Sequence, residues 1–150
     1  MKEPCKYVVA IAPAAVIDNA SATVSAVDCI GSAYAELPVQ LGATDIAITA
    51  LKLTECDTSG GSYTDVPNAT FASTGLDSDG AALSLPSATD DNKVHVFRGS
   101  LLGRKRYLKL VVTFGDGEVG GFVACTARLS NLAYGPDLTT DIANGRVCQF

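Results

Sequence analysis

Few side chains in this sequence could do chemistry. It holds one histidine, five cysteines and 16 carboxylates, set against 11 lysines and arginines. His95 is the only side chain whose ordinary pKa lies near neutrality, so acid–base catalysis would recruit it first. It stands between Val94 and Val96 in an alternating run, which predicts a half-exposed strand residue facing away from both valines. No nucleophile elbow or zinc-binding spacing accompanies it. Asp77, Asp79 and Gly80 read D-S-D-G, like the opening of a calcium loop. The twelfth position, where an EF-hand needs a bidentate glutamate, holds Ala88. These acids read as a solvated loop surface, and no metal or other cofactor is expected. Cys5, Cys29, Cys56, Cys125 and Cys148 form no C-x-x-C pair, and an odd count leaves at least one thiol free or paired between chains. Reduced thiols are expected, as in proteins made in a cytoplasm.

Binding chemistry has one candidate. Arg98, Arg104, Lys105 and Arg106 form a basic cluster on an acidic background, separated by Gly99, Ser100 and Gly103. Two readings stay open: a solvated strand entry that keeps an edge soluble, or a surface that docks on acidic groups of a protein partner. Sugar binding lacks its platforms, since tryptophan is absent and aromatic residues make up 7% of the chain. The formal charge of −5 argues against nucleic acid, whose phosphates call for many lysines and arginines.

The elements that must position these residues read as strands. The 150 residues are 47% hydrophobic and 18% charged, which suits one folded domain and excludes global disorder. Helical periodicity is scarce, whereas two-residue alternation bounded by Gly, Pro, Asn and Asp recurs throughout. The reading is an all-β single domain, a β-sandwich or jelly roll with a long acidic loop and little helix. Residues 1–20 form an N-terminal arm or edge strand, with Pro13 at an edge or bend, and residues 21–150 form the sandwich. Residues 34–41 predict a strand broken at Pro38. Gly60 and Gly61 predict a hairpin between residues 46–55 and 63–71. Residues 72–92 lose all pattern and predict a long exposed loop. The Gly-Asp-Gly sequence at 115–117 predicts a hairpin joining strands 106–114 and 119–129. Asp137 predicts the cap of a short helix running through Asn144. Lys2 and Lys6 precede an apolar run at 7–17, but Glu3, Pro4 and Pro13 spoil a signal-peptide pattern. The run is also shorter than the roughly 20 residues of a membrane span, so no membrane partner is expected.

Two segments together resemble a family. L-K-L-T-E-C-D-T-S-G-G-S-Y-T-D-V-P at 51–67 and G-R-K-R-Y-L-K-L-V-V-T-F at 103–114 resemble small structural proteins of tailed bacteriophages, some of which are head decoration or cement proteins. The resemblance covers residues 43–135 and rests on hairpin motifs. It implies a non-enzymatic virion protein, made in the host cytoplasm, that sits on the outer capsid surface and bridges major capsid protein subunits. It also implies a homotrimer or similar ring. A tail, neck or fibre component is the alternative, and a small binding module a second. Under this implication the capsid contacts fall on the N-terminal arm, with Lys2, Lys6 and Tyr7, and on the basic loop, with Arg98, Arg104, Lys105 and Arg106. Val8, Val9 and Ile11 are expected to add a strand to a neighbour's sheet edge.

Overall fold

The computed structural model describes residues 5–130 and the backbone of 147–149. The alternation in the sequence becomes strands β1 (Cys5–Ile11), β2 (Val27–Asp28), β3 (Tyr34–Thr44), β4 (Ile48–Cys56), β5 (Thr64–Thr70), β6 (Val94–Ser100), β7 (Tyr107–Phe114), β8 (Gly121–Ser130) and β9 (Val147–Gln149). One sheet has the order β1-β8-β3-β6-β9 and the other β2-β7-β4-β5. Neighbours are antiparallel except β6 and β9, which run parallel. The chain is an all-β sandwich, with no helix among the described residues. The expected helix at 137–144 lies outside them.

Period-two patterning builds the core. Ala35, Leu37, Val39 and Leu41 of β3 and Val123, Cys125, Ala127 and Leu129 of β8 turn inward from one sheet. Leu51, Leu53, Leu108, Leu110 and Val112 meet them from the other, and all are buried. Burying such side chains removes apolar surface from water at about 25 cal/mol per Å², the dominant favourable contribution to folding.

The structure corrects four expectations. The predicted β7–β8 hairpin does not form: β7 pairs with β2 and β4, while β8 pairs with β1 and β3, so residues 115–120 cross between the sheets. Each strand buries one alternate face, a pattern that a hairpin and a crossing share. Side-chain carboxylates hold the crossing. Asp45 accepts the amides of Glu118, Val119 and Gly120 at 2.9, 2.8 and 2.7 Å, and Asp18 accepts that of Gly117 at 2.8 Å. Gly120 has φ +89, and a Cβ there would lie 2.3 Å from the Ile17 carbonyl oxygen, so glycine is required.

Pro38 does not break its strand. β3 runs 11 residues through the middle of its sheet. The register with β6 is continuous past Pro38, whereas the ladder to β8 passes from Glu36 directly to Val39. The missing N–H thus interrupts pairing on the β8 side only.

The expected long loop, residues 72–92, is not simply exposed. Phe71, Leu83 and Pro86 are buried, and Ile48 donates its amide to the Pro86 oxygen, so the segment packs against the sandwich. His95 likewise faces the core, opposite Val39, and is 6% exposed. Its ring meets Phe71 edge to face at 5.3 Å, while Val94 and Val96 point to the other face. Alternation had separated His95 from the valines correctly but could not say which face was the inner one.

Candidate functional site

Two distant parts of the sequence converge at one end of the sandwich, where β1, β3 and β7 begin and β2, β4, β6 and β8 finish. Cys5 pairs with Ser130, Tyr34 with Ser100, and Tyr107 with both Asp28 and Cys56. Lys6 and Tyr7 therefore share this end with Arg104, Lys105 and Arg106. Of the expected contact residues, Lys2 lies outside the described residues. Arg98 is a correction: it sits within β6 opposite Glu36 and is 3% exposed, so it is not part of the exposed basic loop.

The remaining cations are not bare. Arg106 forks onto Asp28 through Nε at 2.9 Å and a terminal nitrogen at 2.7 Å, while its guanidinium lies 4.9 Å from the centre of the Tyr107 ring. That fork is the main reason the Asp28 carboxyl falls to about 2, with the Ile30 amide and the fields of Arg106 and Lys6 adding to it against desolvation. The same fork raises the Arg106 pKa. Arg104 lies 3.5 Å from Glu55, whose other oxygen accepts the Lys105 amide at 3.1 Å. The Lys105 ammonium reaches the Thr64 hydroxyl at 3.3 Å. These partners fix the loop, and they also lower its net charge.

Two aliphatic residues that the sequence reading did not single out complete the end. Leu102 is 90% exposed and Ile30 is 65% exposed. Each directly precedes a glycine at φ +75, Gly103 and Gly31, so each occupies the same place in a tight turn. Both turns are locked: Ser100 Oγ accepts the Leu102 amide at 3.2 Å, and Asp28 accepts the Ile30 amide at 3.1 Å. The available signal was local: an aliphatic residue before a turn glycine has no strand face to bury it. Leu101 takes the inward position and leaves Leu102 outside.

Charge is distributed unevenly between the two ends. At the end that carries Ile30 and Leu102, among the described residues, Lys6, Arg104, Lys105 and Arg106 accompany Asp28, Glu55 and Asp57, four cations to three carboxylates. At the opposite end, among the described residues, Asp18, Asp45, Asp90, Asp91, Asp116 and Glu118 are accompanied by Lys93, six carboxylates to one cation. Backbone contacts place them there: Asp91 accepts the Thr44 amide at 2.7 Å, and Asp18 and Asp45 hold the 115–120 crossing. Among the described residues, carboxylates therefore outnumber cations at one end and not at the other.

His95 is enclosed in the core, and no group of three metal-ligating side chains converges among the described residues. A groove of about 500 Å³ crosses the outer face of the four-stranded sheet, beside Lys52, Thr54, Tyr63 and Lys109. Several of its polar groups are already engaged: Lys52 with Asp65, Thr54 with the Lys109 carbonyl, Tyr63 with the Ser59 carbonyl, while the Lys109 ammonium lies 5.4 Å from the centre of the Tyr63 ring. What the turns offer instead is two exposed aliphatic side chains at the same end as Lys6, Arg104, Lys105 and Arg106. Compared with protein-family models, curated proteins and solved structures, the chain finds no match. Function is therefore argued from this geometry and from the resemblance of the two sequence segments.

Proposed function

We propose that this chain is a non-enzymatic structural protein of a phage virion that decorates the capsid and bridges major capsid protein subunits through the end bearing Ile30 and Leu102. The observation that carries this reading is the convergence of two exposed aliphatic side chains with Lys6, Tyr7 and Arg104 to Arg106 on turns fixed in advance. Pre-set turns lower the ordering cost of docking, and the cations at this end favour approach to an acidic surface. The implied partner is the major capsid protein, and the implied arrangement a homotrimer around a symmetry axis.

Arg104 and Arg106 are poor probes, because reversing them would strand Glu55 and Asp28 and disturb the turns. Leu102→Asp and Ile30→Asp are better, since each changes a side chain that folding leaves exposed. Both variants should keep the parent melting curve yet bind decoration-free heads at least about tenfold more weakly, the effect of about 1.4 kcal/mol. Parent-like binding by the double variant would overturn the docking end. Counting copies per particle separates decoration, with many copies, from a tail or neck position with few.

A further inference from the structure

We infer that free chains associate head to tail, the docking end of one copy seating on the carboxylate-rich end of a second. This goes beyond the capsid reading and does not depend on it. The partner is identified by complementarity within a single molecule. Among the described residues, one end exposes Ile30 and Leu102 beside four cations and three carboxylates, and the other exposes Val119 and Val16 beside six carboxylates and one cation. Val119 is 63% exposed and Val16 40%. Neither is displayed by chance flexibility of a loop: the Val119 amide is held by Asp45 at 2.8 Å, and Val16 adjoins the bridge between Ile17 and Gly121. Both surfaces are therefore preorganised, which lowers the ordering cost of joining them.

Because the two surfaces differ, the contact is heterologous. They lie at opposite ends of the same strands, so each added copy continues the line of the last and the contact propagates as a stack. A ring would need the two surfaces to be inclined toward each other. The capsid and a second copy then compete for the docking end, and stacking keeps Leu102 and Ile30 covered before a capsid is met.

Sedimentation velocity on the purified full chain tests this, across a concentration series at about 0.05 M and about 0.5 M salt. The parent should shift to larger species as concentration rises, with an apparent dissociation constant about tenfold or more weaker at the higher salt. Leu102→Asp breaks one surface and Val119→Asp the other, so each variant alone should remain monomeric. Mixed together, each still owns one intact surface, and the pair should form a dimer of one copy each and grow no further. Melting curves check that both variants fold. Should either fail, Leu102→Ser and Val119→Ser make the same test without adding a charge. A parent that stays monomeric throughout, a single variant that associates like the parent, or a mixture that stays monomeric would each overturn the inference. Binding to decoration-free heads separates it from the capsid reading, because Val119→Asp should bind heads like the parent while losing stacking.

Discussion

Phe71 tests whether the segment between β5 and β6 belongs to the core. It is 0% exposed, and its ring meets His95 at 5.3 Å and Phe97 at 5.0 Å, both nearly perpendicular. Its amide donates to the Leu51 carbonyl at 2.9 Å, tying the start of the segment to β4. Phe71→Ala removes a large buried ring between two sheets that cannot close freely. The expected cost is about 4 kcal/mol, in the range for phenylalanine truncation with two edge-to-face partners. Against a typical stability of about 5–15 kcal/mol this is severe. At about 2–4 °C per kcal/mol for a chain of this size, the melting temperature should fall by about 8–16 °C. Phe71→Leu retains most of the volume and should lose roughly 1–2 kcal/mol. Calorimetry gives the totals, and hydrogen exchange locates the effect. The Leu83 amide, bonded to the Gly75 carbonyl at 2.9 Å, should lose protection more than the centres of β3 and β8. A loss below about 1 kcal/mol for Phe71→Ala would show that the segment is not anchored through this ring.

Three further outcomes are expected. Asp28 and Asp90 both fall to about 2, chiefly through Arg106 and Lys93, and backbone amides led by that of Val119 lower Asp45. Folded-state values below the unfolded ones stabilise at neutral pH and lose that effect as pH falls, so the melting temperature should drop between about pH 4 and pH 2; Asp45→Asn should shrink that drop, and an unchanged acid limb would count against the clamp. Burial pushes the Cys125 thiol up to about 12 and Cys29 to about 11, whereas Cys5 is exposed. Alkylation of native protein near pH 8 followed by peptide mass spectrometry should therefore label Cys5 first and reach Cys29 and Cys125 only on unfolding, with early labelling of Cys125 refuting its enclosure. At Gly75 a Cβ would stand 1.6 Å from the Thr70 carbonyl oxygen, so Gly75→Ala must displace backbone and should cost more than about 2 kcal/mol in denaturant melts, while Gly60→Ala, with open space around it, should cost far less.

The fold class was legible because alternation at period two reports burial directly. The same signal could not say which strands pair. β7 and β8 both bury every second residue, and the Gly-Asp-Gly turn fits a hairpin locally, but the deciding contacts come from Asp18 and Asp45, far away in sequence. His95 shows a second limit: alternation assigns faces relative to one another, and the inner face is fixed only when Phe71 arrives from another part of the chain. Pro38 shows a third. Its local meaning is a break, yet a central strand tolerates it where one ladder alone is interrupted.

The candidate site was half legible for a related reason. Clustering in sequence identified Arg104, Lys105 and Arg106, but a run of cations becomes a cationic patch only if folding brings no carboxylates to it. Pairing of β2 with β7 brings Asp28 to Arg106, and pairing of β4 with β7 brings Glu55 to Arg104. The half-exposed Arg106–Asp28 pair contributes little to stability, and Glu55 is buried beside Arg104; the consequence of both pairs is geometric, in that they hold the turns in place. Affinity must then come from what the turns carry. Leu102 and Ile30 expose their side chains in the free protein, and burying an aliphatic side chain is worth roughly 1.5–3 kcal/mol. Under the proposed docking role, the charges that drew the eye in the sequence would orient this end, while two aliphatic residues beside turn glycines would supply its binding energy.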